Sequence, residues 1–106
     1  MDQTEALRRY EALVAAVKVA LDSADPIGLL EIGAPADEYE PEVGTIVPRV
    51  AKAADATEVH RIIHEEFGRW FGVDTAGPLT TYEAPAREIW QAVLSFRARS
   101  KKPLQE

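Results

Sequence analysis

The sequence predicts an all-α fold, a compact bundle of four to five helices around one core. Three observations carry this. Apolar residues recur at spacings of three and four along most of the chain. Capping-box patterns stand where two of the helices would begin. Glycines and prolines punctuate the stretches between. A chain of 106 residues has the length of one domain, which buries roughly 60–70% of its unfolded surface. We assign residues 1–99 to a single helical domain and residues 100–106 to a basic tail expected to fray.

The first helix is expected over about residues 3–22. Asp2 and Glu5 form the capping box, and Leu7, Tyr10, Val14, Val17 and Leu21 then fall on one face. Leu13 and Ala20 widen that stripe, while Arg8, Arg9, Glu11 and Lys18 fall largely outside it. Asp25-Pro26 restarts the chain, with proline at a first helical position and aspartate as its cap. Ile27, Leu29, Leu30 and Ile32 can form one apolar turn, which Gly33 can end.

Pro41 opens the next helix, with Val43, Ile46, Val47 and Val50 inward. Pro48 removes a hydrogen bond there at a cost of about 3 kcal/mol, so a distortion is expected near Gly44–Pro48. Asp55-Ala56-Thr57-Glu58 is the second capping box. Val59, Ile62, Ile63, Phe67, Trp70 and Phe71 follow, with Gly72 at the C-terminal position. Glu66 is the exception, a carboxylate at core phase. Val73–Thr81, containing Gly77-Pro78, reads as a loop. A last helix over residues 82–98 places Ile89, Val93 and Phe96 inward, with Trp90 and Leu94 beside them.

Charge narrows the function classes. The net charge is −6, whereas nucleic-acid binding draws its affinity from Lys and Arg on phosphates, so DNA and RNA are disfavoured as ligands. The charge is also unevenly distributed. Between Val19 and Pro48 there is no Lys or Arg, and the same stretch holds Asp22, Asp25, Glu31, Asp37, Glu38, Glu40 and Glu42. Arg97, Arg99, Lys101 and Lys102 reverse the sign at the other end, as a solvated end that complements the last helix dipole. There are no cysteines, hence no disulfide framework, thiolate metal site or thiol nucleophile. The start Met1-Asp2-Gln3-Thr4-Glu5 is unlike a signal peptide, and no apolar run reaches the roughly 20 residues of a membrane span. A cytoplasmic protein is the expectation.

Chemistry-bearing groups are few. His60 and His64 lie one helical turn apart and could share a metal, but a zinc site needs further ligands and none stands at a telling spacing. The acids around residue 40 lack the EF-hand order, so calcium is not expected either. The glycines form no phosphate-cradling loop, and Thr80, Thr81 and Ser95 have no sequence-local histidine and acid. Trp70 and Trp90 are expected as core anchors. No cofactor is assigned. The candidate partner-binding residues are Asp37, Glu38, Tyr39, Glu40 and Glu42: acids that would steer a basic protein, around a tyrosine of the kind enriched at binding hot spots.

One string carries a family resemblance. Asp25-Pro26-Ile27-Gly28-Leu29-Leu30, followed by Gly33-Ala34-Pro35-Ala36-Asp37-Glu38-Tyr39-Glu40-Pro41-Glu42-Val43, resembles the YugE-like family of small bacterial all-helical domains of unknown function. It is also similar to immunity proteins encoded beside secreted toxins, as is the aromatic helix end Phe67-Gly68-Arg69-Trp70-Phe71-Gly72. The resemblance implies a helical fold and a protein that binds and neutralises a partner. The expected function is therefore a non-enzymatic binding module, an immunity protein masking a basic toxin. The alternatives are a metal-binding protein or metal-dependent enzyme using His60 and His64, and a homodimer burying Trp90 or Leu94.

Overall fold

The computed structural model describes residues 3–28 and 39–100. Among them are five α-helices and one 3₁₀ turn: α1 (Gln3–Ala24), α2 (Glu40–Val50), α3 (Ala56–Phe71), α4 (Val73–Ala76), the turn Leu79–Tyr82, and α5 (Glu83–Ser100). The described residues contain no strand, and the all-α bundle read from the periodicity is the fold. Helix α1 lies along α5 and touches α2, while α3 packs against α2, α4 and α5. No helix among the described residues is long and apolar enough to cross a membrane.

The core closes on Phe67. Its ring sits 5.8 Å from that of Tyr39, 5.7 Å from Phe71 and 5.3 Å from Tyr82, all tilted pairs within the range aromatic rings favour. Val59, Ile62, Ile63, Val43, Ile46, Val47 and Val50 pack around this cluster, with Ile89 and Val93 from α5. Helix α1 contributes Leu13, Val17, Ala20 and Leu21. Its buried seam is therefore rotated from the expected one: Leu7 and Tyr10 are exposed, and Arg9 is buried. Contact with both α5 and α2 sets that rotation, since the bundle buries the side of α1 between its two neighbours.

Several boundaries follow their local chemistry. Asp55 is extended, and its Oδ1 accepts the Glu58 N–H at 2.9 Å. The Glu58 carboxylate in turn accepts the N–H of Ala54, the residue before the N-cap, at 2.6 Å, where the standard reciprocal bond would take that of Asp55. Gly72 ends α3 at φ 90°, a conformation open to glycine. Helix α2 carries Pro41 in its first turn as expected. Pro48 lies inside α2, yet the helix continues to Val50. Being in the last turn, it costs only the bond to the Gly44 carbonyl, on the exposed side of the helix.

Three expectations are corrected. Val73–Thr81 is not a loop: α4 and the 3₁₀ turn occupy most of it, both too short to show a period. Trp70 is 45% exposed at the end of α3, where the Thr45 Oγ1 of α2 accepts its indole N–H at 3.0 Å. Arg97 does not serve its own helix end. It donates to the carbonyls of Ala51 (3.0 Å) and Ala53, at the C-terminus of α2, and lies 5.6 Å from the Trp90 ring. Cationic capping thus acts between helices. The apolar turn at 27–32 falls largely outside the described residues, as do the Asp2 cap and the tail beyond residue 100.

Candidate functional site

The acidic stretch begins at the end of α1. Asp25 follows that helix at φ 45°, left-handed backbone that aspartate tolerates better than most residues. Its N–H bonds the Leu21 carbonyl at 2.8 Å, so Asp25 closes α1. The Gly28 N–H returns to the Asp25 carbonyl at 2.9 Å. Tyr39 then fastens the far end. Its ring is fully buried against Phe67, and its hydroxyl donates to Asp25 Oδ1 at 2.6 Å while accepting from the Ile27 N–H at 3.2 Å. One buried phenol thereby brings the residues before and after 29–38 together.

This geometry sorts the five sequence-predicted site residues. Asp37 and Glu38 lie outside the described residues, and for Glu40 only its place as the first residue of α2 is described. Tyr39 and Glu42 are corrected. Both are buried, Tyr39 completely and Glu42 to 3% exposure, so neither presents a surface to a partner. Tyr39 instead occupies the N-cap position of α2, without a side-chain capping bond. Two further acids of the stretch are engaged within the fold: Asp22 pairs with Lys18 at 2.6 Å, and Asp25 receives the Tyr39 hydroxyl.

His60 and His64 face the second half of the chain. His60 Nε2 is 2.7 Å from the Leu79 carbonyl and His64 Nε2 is 2.9 Å from the Gly77 carbonyl. A carbonyl only accepts, so both Nε2 atoms carry hydrogen and donate. The histidines thus hold the turn after α4 against α3, and His64 also meets the Tyr82 ring at 5.4 Å. Tyr82 completes this fastening. Its hydroxyl donates to the Ala76 carbonyl at 2.6 Å, and burial pushes its pKa up to about 12. Among the described residues, no group of three or more His, Cys, Asp or Glu side chains is placed to hold a metal ion.

The core-phase carboxylate has a partner that sequence reading missed. Glu66 is 3% exposed and its Oε2 accepts from Arg49 at 2.8 Å, with Arg69 at 3.4 Å. Arg49 also reaches Glu65 at 2.9 Å, and Arg61 reaches Glu65 at 2.7 Å and Glu58 at 3.2 Å. These bonds, Arg49 first and Arg61 second, hold the Glu65 carboxyl below its ordinary pKa. The same carboxylates raise that of Arg49. The isolated acid among apolar neighbours was the available signal for such an inter-helix pair.

Comparison with protein families, with curated proteins and with solved structures finds no match for this chain.

Proposed function

We propose that this protein is a non-enzymatic binding module that captures a basic protein, in the manner of an immunity protein neutralising a secreted toxin. One observation carries the reading: seven acids and no base between Val19 and Pro48 in a chain of net charge −6. Such a run raises the encounter rate of a basic partner and repels acidic competitors. The string from Asp25 to Val43, which resembles immunity proteins, supports the same conclusion. The burial of Glu42 and the internal bonds of Asp22 and Asp25 direct the test to the cluster Asp37, Glu38 and Glu40. A cytoplasmic setting, beside the gene product that would be neutralised, belongs to the same proposal.

The experiment is a pull-down from the source cell's own extract at low and high salt. Native bait is compared with the variant carrying Asp37→Lys, Glu38→Lys and Glu40→Lys. Glu42 is left intact, because a lysine at that buried site would test folding instead of binding. A basic protein held by native bait at low salt and released by salt and by the variant supports the proposal. Equal capture by both baits overturns it.

A further inference from the structure

A pocket lies between α3 and α4, and the packing of the bundle leaves it open. His64, Glu65, Gly68 and Arg69 of α3 line it with Val73 and Ala76 of α4, and its volume is about 420 Å³. Small-molecule sites run from about 300 to 1,000 Å³. Gly68 contributes no side chain, and a Cβ there would have nothing within 4 Å. Ala76 is small and buried, while Val73 leaves an aliphatic side chain to solvent. The walls are fixed before any ligand arrives. His64 bonds the Gly77 carbonyl, Tyr82 bonds that of Ala76, and the Gly72 and Ala76 N–H groups bond the Gly68 and Gly72 carbonyls. A preformed pocket loses little to ordering when it binds.

The charged groups of the lining say what class of ligand fits. Glu65 has both oxygens engaged, Oε1 by Arg49 at 2.9 Å and Oε2 by Arg61 at 2.7 Å. Arg69 differs. Its side chain is 76% exposed, and among the described residues its one bond is to Glu66 Oε2 at 3.4 Å, an oxygen that already takes Arg49 at 2.8 Å. The guanidinium therefore has donors to offer, in a planar fork that matches a carboxylate. Glu65 and Glu66 lie one turn before Arg69 and disfavour a dianion such as phosphate. We propose that this pocket binds a small apolar monocarboxylate, its hydrocarbon against Gly68, Val73 and Ala76 and its carboxylate on Arg69. The site is separate from the acidic stretch and does not rest on the binding-module reading.

The test is amide NMR of the full chain with octanoate and with octanamide, which has the same hydrocarbon and no charge. Octanoate is expected to shift the Gly68, Val73 and Ala76 amides and the Arg69 Nε–H, and to bind about fivefold more tightly than octanamide. Arg69→Gln should bring the two to equal affinity. Gly68→Leu should weaken octanoate at least about tenfold by filling the pocket. The helical circular dichroism spectrum should be retained in that variant, because leucine favours a helix interior more than glycine does. Shifts confined to other helices, or none at millimolar octanoate, overturn the inference. Equal affinities of the two ligands for native protein, or undiminished octanoate binding in Gly68→Leu, do the same. Two other occupants are distinguished by the same spectra. Shifts at these amides on raising protein concentration without ligand assign the pocket to a second copy of this chain. Tighter, Arg69-dependent binding of a tripeptide ending in leucine with a free carboxylate assigns it to a protein C-terminus. Either result overturns the proposal.

Discussion

The two edges of α3 hold their neighbours by different physics. Along one edge, His60 and His64 donate to the backbone carbonyls of Leu79 and Gly77, and the bonds need no charge. Along the other, Glu65 and Glu66 receive Arg49 of α2, and the bonds exist because the groups are ionised. The first set rests on the direction of a neutral donor toward a carbonyl, the second on opposite charges brought within hydrogen-bond distance. The contrast shows how a small domain can carry many titratable groups near its core while spending most of them on helix packing, which moves the search for function to the acidic stretch and the pocket between α3 and α4.

Removing Arg49 should break this comparison most sharply. Arg49→Ala strands the buried Glu66 carboxylate with only the longer, exposed Arg69 contact, at an expected cost of about 3 kcal/mol in chemical denaturation. Replacing both partners, Arg49→Met with Glu66→Met, should restore most of that loss, because apolar side chains do not leave a charge unpaired. Equal loss in the single and double variants would mean that packing, and not the ion pair, holds this edge.

On the opposite edge, Tyr82→Phe leaves the Ala76 carbonyl without its donor and should cost about 1–2 kcal/mol. Tyr82 also sharpens the contrast at high pH. Its folded pKa, about 12, lies above the unfolded value near 10, so the folded state keeps a proton that the unfolded state loses. Its contribution is complete below about pH 10 and disappears as pH rises through about 12. Ultraviolet titration should show a tyrosine step near pH 12, and Tyr82→Phe should abolish that step. His64→Ala should cost less, about 1 kcal/mol, and its effect should be the same at low and high salt.

The smallest expected effect concerns Glu65. Its carboxyl pKa is lowered in the folded state by Arg49 and Arg61, so its contribution is present above the ordinary carboxylate pKa and fades as pH falls through the depressed value. Glu65 is an exposed group, and screening makes the contribution modest. Carbon-13 detected carboxyl titration should place Glu65 below the ordinary glutamate range, and Arg61→Gln should move it upward.

Local rules made much of the fold legible. The Asp55–Glu58 box, Gly72 and the first-turn Pro41 act within a few residues of themselves, and each does what its chemistry predicts. Glu66 stood out at core phase, but its partner lies 17 residues away on another helix, and no sequence period encodes such a pairing. The histidines were equally opaque: their partners are backbone carbonyls, and every residue has one. Trp70 had the phase of a core residue but stands half-exposed at the end of α3, a fact about neighbours and not about spacing. Tyr39 reads in sequence as an aromatic among acids. Only the fold shows that its ring belongs to the Phe67 cluster and its hydroxyl to Asp25.

The most direct measurement is a single binding assay that sets the structural histidines against the acidic stretch. Native protein, the His60→Ala/His64→Ala variant and the Asp37→Lys/Glu38→Lys/Glu40→Lys variant are immobilised, and the affinity of the captured basic protein is measured for each. Near-native affinity for the histidine variant and loss in the acid-reversal variant is the expected result. Loss in the histidine variant with retention in the acid-reversal variant, both folded by circular dichroism, would contradict it and return function to the edge of α3 that faces Gly77 and Leu79.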